Sequence, residues 1–469
     1  MRSARRIQPA LPLGTVPHKH ARQLVYIAHV LDQLPQLEAQ VLADLVPPSV
    51  RRDVGRTGLS AQQVLRILVL YFLLKVDFEQ LEFHLQDSQT YRTFCLLGLG
   101  DTPPKRACLQ ENLSRLRPET LQSLHRLLVE HAVSLGVESG HSVRIDTTPV
   151  LAPIRAPLDS ALLADAVRVL LRLLRRAQKW VPMSPPSHHR RVRRRTTALR
   201  AERLPEEERA ALYFDLLQDT KRYVEAALVA AEFLDGVQDA DALLLGIHLR
   251  TQAENALCII DQTERRILLG EQVPATAKRL SMFETHTDIL RKRDQVVYGH
   301  KVCVSFGKSG VVLGAQILRH NPADSTLAVP AVEAIEQNTG RTPHDAALDS
   351  GFASRDNVRE LKERGVQRVA FPPGRGIDGE AACGSRRVRR KLYRFRAGVE
   401  GLISWLKRSL VMGRSRWKSE QGFCAYVWSV LVTATLQAMA PASWVLIPAG
   451  AGGSMMMKST RRFLARPSA

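Results

Sequence analysis

The sequence lacks several features that would assign it to a common class of protein. Its six cysteines form no Cys-x-x-Cys pair, so their spacing indicates neither a zinc knuckle nor a disulfide framework. Free cysteines of this kind fit a reducing cytoplasm. The N-terminal segment is basic but has no uninterrupted apolar core, so it does not resemble a signal peptide. No internal repeat is apparent.

Acidic residues are scarce relative to basic ones. Lys and Arg total 67 against 46 Asp and Glu, which gives a formal net charge of +21. So many positive charges repel one another in a compact protein, and binding to a polyanion would relieve this repulsion. Nucleic acid is therefore the expected partner, and an anionic membrane surface is second. With 469 residues, of which 45% are hydrophobic, the chain is long enough for two or three packed domains.

Charge is absent altogether between Gly422 and Met457, which raises the question of a membrane span. Two prolines, Pro441 and Pro448, interrupt this stretch, and small polar residues dilute it. Its first part, 426–439, therefore predicts a buried last helix of a core rather than a membrane helix. We expect no membrane association, and the tail 441–469 has no functional interpretation.

Helical patterns fill the first third of the chain. Ser60 with Gln63, and Asp77 with Gln80, form capping-box patterns before apolar runs. Further helices are predicted over the ranges 20–45, 108–116 and 118–133. We interpret residues 1–58 as an N-terminal arm and 59–138 as a helical domain. Such a domain carries a DNA-binding helix-turn-helix or serves only packing and dimer contacts.

The middle of the chain predicts one strand followed by a long helical insert. Alternating residues over 142–150 predict the strand. Residues 151–285 then read as an insert, with helices over 159–179 and 206–266 joined by a basic loop. The arginines of that loop are expected to contact a DNA backbone, or else to be solvated: Arg190, Arg191, Arg193, Arg194 and Arg195. The neighbouring pair His188–His189 is interpreted as part of this basic patch rather than as a metal site.

The last part of the chain alternates between strands and helices. A β-hairpin is predicted over 296–306 and 311–318, followed by a helix over 324–337. A strand (346–352), a helix (354–364) and another strand (366–371) come next. This order predicts an α/β fold with a mixed sheet flanked by helices. The corresponding core spans 139–440 and is interrupted by the insert at 151–285.

Two aspartates follow apolar runs at comparable places. Asp146 lies at or near the end of one predicted strand and Asp349 at the end of another, and a turn follows each of them. Active sites of α/β sheets form at such strand ends, and a carboxylate there needs a counter-ion. Asp261 and Asp345 are weaker candidates, because Asp261 lies in a helical pattern and Asp345 precedes its strand.

A helical stripe carries the third acid. At 100° per residue, Tyr393, Arg396, Glu400 and Lys407 fall within an arc of about 60°. Glu400 borders the apolar face of the same helix. A pair such as Arg396 and Glu400 also occurs as plain decoration of a solvated helix face. With Asp146 and Asp349, however, Glu400 would complete an oxygen-rich pocket suited to Mg²⁺ or Mn²⁺ rather than zinc.

These motifs resemble those of the DDE transposases of bacterial insertion sequences. The spacing Tyr393-x2-Arg396-x3-Glu400-x6-Lys407 matches the Y-R-E-K signature of one large group at all four positions. The block from Asp349 to Phe352 matches that group's D-x-G-[FY] motif. The resemblance covers about residues 60–440 and is closest to the ISNCY-like branch. The interval of 203 residues between the two aspartates (349 − 146) requires an insert, which in other branches lies later and is β-rich.

The resemblance implies a ribonuclease-H-like catalytic core in which Asp146, Asp349 and Glu400 hold two Mg²⁺ (or Mn²⁺) ions. It implies cleavage of phosphodiester bonds at the terminal inverted repeats and transfer of the freed 3′-OH to target DNA. Tyr393, Arg396 and Lys407 would then hold phosphates. Trp405, on the other flank of the helix, would stack on a displaced base or simply pack. A homodimer assembled on DNA, associated with the nucleoid in the cytoplasm, is expected.

Two alternatives to transposition stay open at this point. One is a metal-dependent DNA nuclease of the same fold without strand transfer. The other is a non-catalytic DNA-binding descendant of a transposase, against which the three intact acids argue.

Overall fold

The computed structural model describes residues 2–5, 18–47, 57–98, 100–200, 204–292, 295–372 and 377–440, together with the backbone of two short strands further on. Parts of the predicted N-terminal arm (6–17 and 48–56) and most of the tail lie outside the described residues. The predicted domain boundaries stay predictions. The described part of the tail consists of two short strands, β7 (Val445–Ile447) and β8 (Met456–Lys458), which pair with each other. Strands are numbered in chain order, and β1 to β6 are described below.

The first part of the chain is helical, as predicted. Both capping boxes form, because the side chains of Ser60 and Asp77 accept the N–H groups of Gln63 and Gln80. The single helix predicted over 20–45 is wrong, since Pro35 begins a second helix. The helices of this part are α1 (Lys19–Asp32), α2 (Pro35–Leu45), α3 (Ala61–Leu74), α4 (Phe78–Asp87), α5 (Gln89–Phe94), α6 (Arg106–Ser114) and α7 (Pro118–Ser134).

A mixed sheet follows, as the alternating pattern predicts. Its strands are β1 (Ser142–Leu151), β2 (Asp288–Lys292), β3 (Gln295–Phe306), β4 (Val312–Leu318), β5 (Asp345–Leu348) and β6 (Arg368–Ala370). The strand order is β2-β3-β1-β5-β6, and β4 also pairs with β3. β1 runs antiparallel to β3 and parallel to β5, and β5 runs parallel to β6. The hairpin formed by β3 and β4 is confirmed, whereas the short strand β2 was not predicted.

The helices after the hairpin cover this sheet. They are α12 (Ala328–Thr339), α13 (Arg355–Glu363), α14 (Gly379–Cys383), α15 (Arg386–Ser409) and α16 (Glu420–Met439). Short 3₁₀ turns precede α12 at Asp324–Thr326 and follow β5 at Ser350–Phe352. α15 packs against β1, β5 and β6. It begins at Arg386, earlier than the stripe, because the Ser385 hydroxyl caps it by accepting the N–H of Val388.

The insert is helical, as predicted, and has an apolar core of its own. It contains α8 (Asp159–Ala177), α9 (His189–Ala198), α10 (Glu206–Asp235) and α11 (Ala240–Thr263). The basic loop predicted at 190–195 is wrong, since that segment is α9. Two features stabilise it as a helix: Val192 and Thr196 are buried on one face, and Arg195 pairs with Asp215 and Asp219 of α10.

The last described helix, α16, is long and apolar enough to cross a membrane by length and composition, yet most of its apolar window is buried inside the protein. It packs against α7 and α3. Tyr426 is fully buried there, and its hydroxyl donates to the carbonyl of Val411 at 2.8 Å. The prediction of a buried core helix is confirmed. A second apolar core, separate from that of the insert, runs continuously from α1–α7 through the sheet to α16.

Candidate active site

The register of the sheet brings the two predicted aspartates together. Ile145 of β1 is paired with Leu348 of β5 in the parallel ladder, so the next residues along the chain are Asp146, within β1, and Asp349, directly after β5. The prediction that Asp146 lies at or near the end of its strand is wrong, because β1 continues to Leu151 in its pairing with β3. Asp146 lies instead where the parallel pairing stops. Side chains at equivalent positions of parallel strands point to the same face, so the two carboxylates converge.

Arg396 of α15 bridges these carboxylates. One Nη atom lies 2.5 Å from Asp349 Oδ1 and 3.6 Å from Asp146 Oδ2. Arg396 Nε is buried and has no hydrogen-bond partner among the described residues. The guanidinium therefore pairs with Asp349 more closely than with Asp146, and one positive charge faces two carboxylates.

Asp146 is electrostatically strained. Its pKa is raised to about 6, mainly by burial and also by the negative charge of Asp349, although the Thr147 N–H and Arg396 act in the opposite direction. The Thr147 N–H donates to Asp146 Oδ1 at 2.7 Å. The ionised form of Asp146 is thus held in a place that favours an additional positive charge.

Glu400 lies one turn after Arg396 on the same face of α15. It is exposed and makes no hydrogen bond or ion pair with the described part of the chain. α15 carries nine basic residues, and Glu400 is its one acid. The structure therefore brings Asp146, Asp349 and Arg396 into contact and places Glu400 one helical turn from Arg396.

The other residues of the stripe are engaged differently. The Tyr393 hydroxyl donates to the carbonyl of Phe371, just after β6, and Arg389 lies over its ring. Lys407 is half-buried and has contacts within the chain. Trp405 is half-buried and packs against the core shared by the sheet and the first helices. In α9, Arg190, Arg191, Arg193 and Arg194 are exposed, whereas Arg195 is paired inside the insert.

Arg144 was missed by the sequence reasoning. It lies two residues before Asp146, on the same face of β1, with its guanidinium 4.6 Å from the ring centre of Phe395. Its Nη1 donates to the Phe395 carbonyl at 3.1 Å. A Cβ at Gly398 would lie 2.4 Å from that nitrogen, so a side chain at 398 would displace the Arg144 guanidinium from this position. A glycine inside a helix was the available signal. These contacts fix α15 against β1, and hence Arg396 against Asp146.

A different group of metal-ligand residues lies at the opposite end of the same strands. His141, His344 and Asp345 have ligand atoms within 4.8 Å of one another. Asp345 pairs with Ser142 in the ladder, four residues before the catalytic candidates, or about 13 Å along the strands. Its carboxylate already accepts hydrogen bonds from Ser142 Oγ and His344 Nδ1. This group is therefore separate from the pocket of Asp146 and Asp349.

Comparison with family models identifies the relatives of this chain. Residues 283–436 match the model described as Transposase DDE domain, and residues 14–115 match the model described as Transposase domain (DUF772). The two matches support a DDE transposase family. They indicate a DNA transposase function and hence a DNA substrate. Searches of curated proteins and of solved structures found no match.

Two of the three candidate acids lie within the matched ranges. The DDE-domain match includes Asp349 and the helix that bears Glu400, whereas Asp146 lies outside both matched ranges. The other match begins at residue 14, inside the segment predicted as an arm. Most of the insert lies outside both matches. The assignment of Asp146 therefore rests on the register of β1 with β5 and on its contact with Arg396.

Neutralising Asp146 is expected to stabilise the protein in the absence of divalent metal. The Asp146 carboxyl has a pKa of about 6 in the folded state and about 3.9 when unfolded. The folded state therefore loses free energy of unfolding as the pH rises from about 4 to about 6, and this loss is complete at pH 7. Asp146→Asn should therefore gain on the order of 2 kcal/mol at pH 7 in EDTA, and almost nothing at pH 4. Thermal unfolding at both pH values measures this, and Asp356→Asn, on the exposed face of α13, is the control. An equal gain at both pH values would contradict the electrostatic cause.

Proposed function

We propose that this transposase cuts phosphodiester bonds at the ends of a mobile DNA element and transfers the freed 3′-OH to target DNA. The convergence of Asp146 and Asp349 where the parallel pairing of β1 and β5 stops carries the proposal. The stripe that ends in Lys407 and the block from Asp349 to Phe352 add to it. We assign the protein to the Y-R-E-K group and its ISNCY-like branch. The strand order supports a ribonuclease-H-like core.

Asp146, Asp349 and Glu400 would hold Mg²⁺ or Mn²⁺ ions. The donor set fits, because all of these ligands are carboxylates and hard divalent cations prefer oxygen. The raised pKa of Asp146 fits as well, because burial and the charge of Asp349 disfavour its ionised form, and a bound cation would favour that form. Two bound ions would activate the attacking oxygen and stabilise the leaving one.

The protein's own residues position the reacting groups. Arg144 fixes α15 on β1, Tyr393 ties the same helix to the end of β6, and Arg396 keeps the two aspartates together. Such fixed placement lowers the cost of reaching the transition state. Arg396, Tyr393 and Lys407 would also contact phosphates near the cut, and Trp405 would lie beside the displaced strand.

The distribution of basic residues supports long contacts with DNA. The exposed arginines of α9 and those in the first half of α15 would bind the phosphate backbone. Such contacts supply affinity for the terminal inverted repeats and for target DNA, without selecting bases. We further propose that the protein works as a homodimer assembled on DNA, on the nucleoid of the cytoplasm.

The reaction products distinguish a transposase from a nuclease. The purified protein is incubated with Mg²⁺, a labelled duplex that carries the inverted repeat flanking the gene, and a supercoiled plasmid. Covalent joining of label to plasmid is the expected result. Nicks and free ends without joined product would instead favour a metal-dependent nuclease, and the absence of any strand cleavage would favour a DNA-binding descendant.

A further inference from the structure

A third carboxylate lies beside the two aspartates but belongs to a separate turn. Asp324 begins the 3₁₀ turn that precedes α12. Its Oδ1 accepts a hydrogen bond from Lys301 Nζ at 2.9 Å, and Lys301 also donates to the carbonyl of Pro322 at 2.6 Å. The ammonium group neutralises Asp324 and fixes its orientation. Asp324 is thus paired with its own cation, whereas Asp146 and Asp349 share one.

The second oxygen of Asp324 faces both aspartate-bearing segments. Thr147 Oγ1, next to Asp146, donates to Asp324 Oδ2 at 3.4 Å. On the other side, a Cβ at Gly351, two residues after Asp349, would lie 2.7 Å from the same oxygen. Any larger residue at 351 would therefore push against Asp324. Asp324 Oδ2 therefore lies between Thr147, which follows Asp146, and Gly351, which follows Asp349 by two residues.

The two turns are also fastened to each other. The buried side-chain amide of Asn357, on α13, donates to the carbonyls of Ser325 and Phe352, both at 2.7 Å. The turn that holds Asp324 and the turn that follows Asp349 therefore form one unit. A shift of Asp324 has to be transmitted to Asp349 through Gly351, and to Asp146 through Thr147.

We propose that Asp324, held by Lys301, is a positioning residue that sets the separation of Asp146 and Asp349. The inference rests on the proposed function, in that the two aspartates hold divalent metal for DNA cleavage. Gly351 is required because only a residue without a side chain lets the 350–352 turn close onto Asp324. Asp324 acts through its neighbours and is not itself assigned as a metal ligand.

A double-mutant cycle tests this contact. Gly351→Ala and Asp324→Ala, each alone, are expected to slow cleavage of the labelled duplex by about 10²-fold, the effect of a displacement near 1 Å in an active site. In the Asp324→Ala background, Gly351→Ala should cost little more, because the oxygen at 2.7 Å has gone and the remaining Cβ, at 3.1 Å, needs to move only by a few tenths of an ångström. An equal loss in both backgrounds would overturn the proposal. Thermal unfolding and binding of the duplex should stay close to wild type in Asp324→Ala.

Metal affinity provides a readout that does not depend on cleavage. Calorimetric titration with Mn²⁺ should show affinity about tenfold weaker in Asp324→Ala, and an intermediate loss in Asp324→Asn, which keeps the shape. The control Asp356→Ala should bind Mn²⁺ as the wild type does. Unchanged affinity in Asp324→Ala would overturn the positioning role. If Mn²⁺ affinity falls from wild type to Asp324→Asn to Asp324→Ala but the wild type does not cleave DNA, the proposed function is refuted and the positioning role is not. If the wild type binds no Mn²⁺, both the proposed function and the positioning role are refuted.

Discussion

Asp349→Asn is expected to lose cleavage of the labelled duplex by roughly 10³-fold while the protein remains folded. The carboxylate is a direct partner of Arg396 and converges with Asp146. Asparagine keeps its shape but removes one of the anionic oxygens on which hard cations depend. Loss of several kcal/mol of charge stabilisation in the transition state corresponds to a rate loss of this size. The rate of strand cleavage at saturating Mg²⁺ is the measurement.

The control for this variant lies on the neighbouring helix. Asp356 is exposed on α13 and, among the described residues, forms its ion pair with Arg359, one turn further along the chain. Asp356→Asn should cleave at close to the wild-type rate, because surface pairs of this kind contribute little. Retention of near wild-type cleavage by Asp349→Asn would exclude this aspartate from the active site.

Tyr426→Ala is expected to destabilise the protein by about 4 kcal/mol, the range seen when a large buried aromatic is removed. Tyr426 is fully buried in α16 and packs on Phe72 and Trp417 with ring centres 5.2 and 5.7 Å away. Its hydroxyl also holds Val411, which adopts a left-handed backbone with φ of 55°. The mutation therefore leaves a cavity and releases a strained loop.

Two further variants separate packing from hydrogen bonding. Tyr426→Phe keeps the ring and loses only the bond to Val411, so it should cost about 1–2 kcal/mol. Phe83→Ala, an exposed aromatic of α4, should change stability by about 0.5 kcal/mol or less. Urea unfolding monitored by circular dichroism measures all three. A near-neutral Tyr426→Ala would contradict the placement of α16 in the protein core.

The parts of the fold that follow from neighbouring residues could be predicted from the sequence. The capping boxes at Ser60 and Asp77 form because each involves groups three residues apart. The stripe on α15 follows from helical spacing alone. The break before Pro35 was also readable, because proline is disfavoured inside a helix and favoured at its first position.

Features that depend on distant residues could not be predicted. Arg144 donates to Phe395, which is 251 residues away in the chain, and Thr147 reaches Asp324 across 177 residues. The helical state of α9 depends similarly on Asp215 and Asp219 of another helix, which pair with Arg195 within a row of like charges. Local periodicity contains no information about such partners.

The central claim is that Glu400 joins Asp146 and Asp349 in one metal-dependent site, and Glu400→Gln tests it most directly. The substitution keeps the shape of an exposed side chain that makes no hydrogen bond or ion pair within the described residues, so folding and duplex binding should hardly change. Glu363→Gln, exposed on α13, is the matched control. We predict that Glu400→Gln binds the labelled duplex like the wild type but fails to cut it in Mg²⁺ or Mn²⁺. Cleavage at the wild-type rate by Glu400→Gln would contradict the claim.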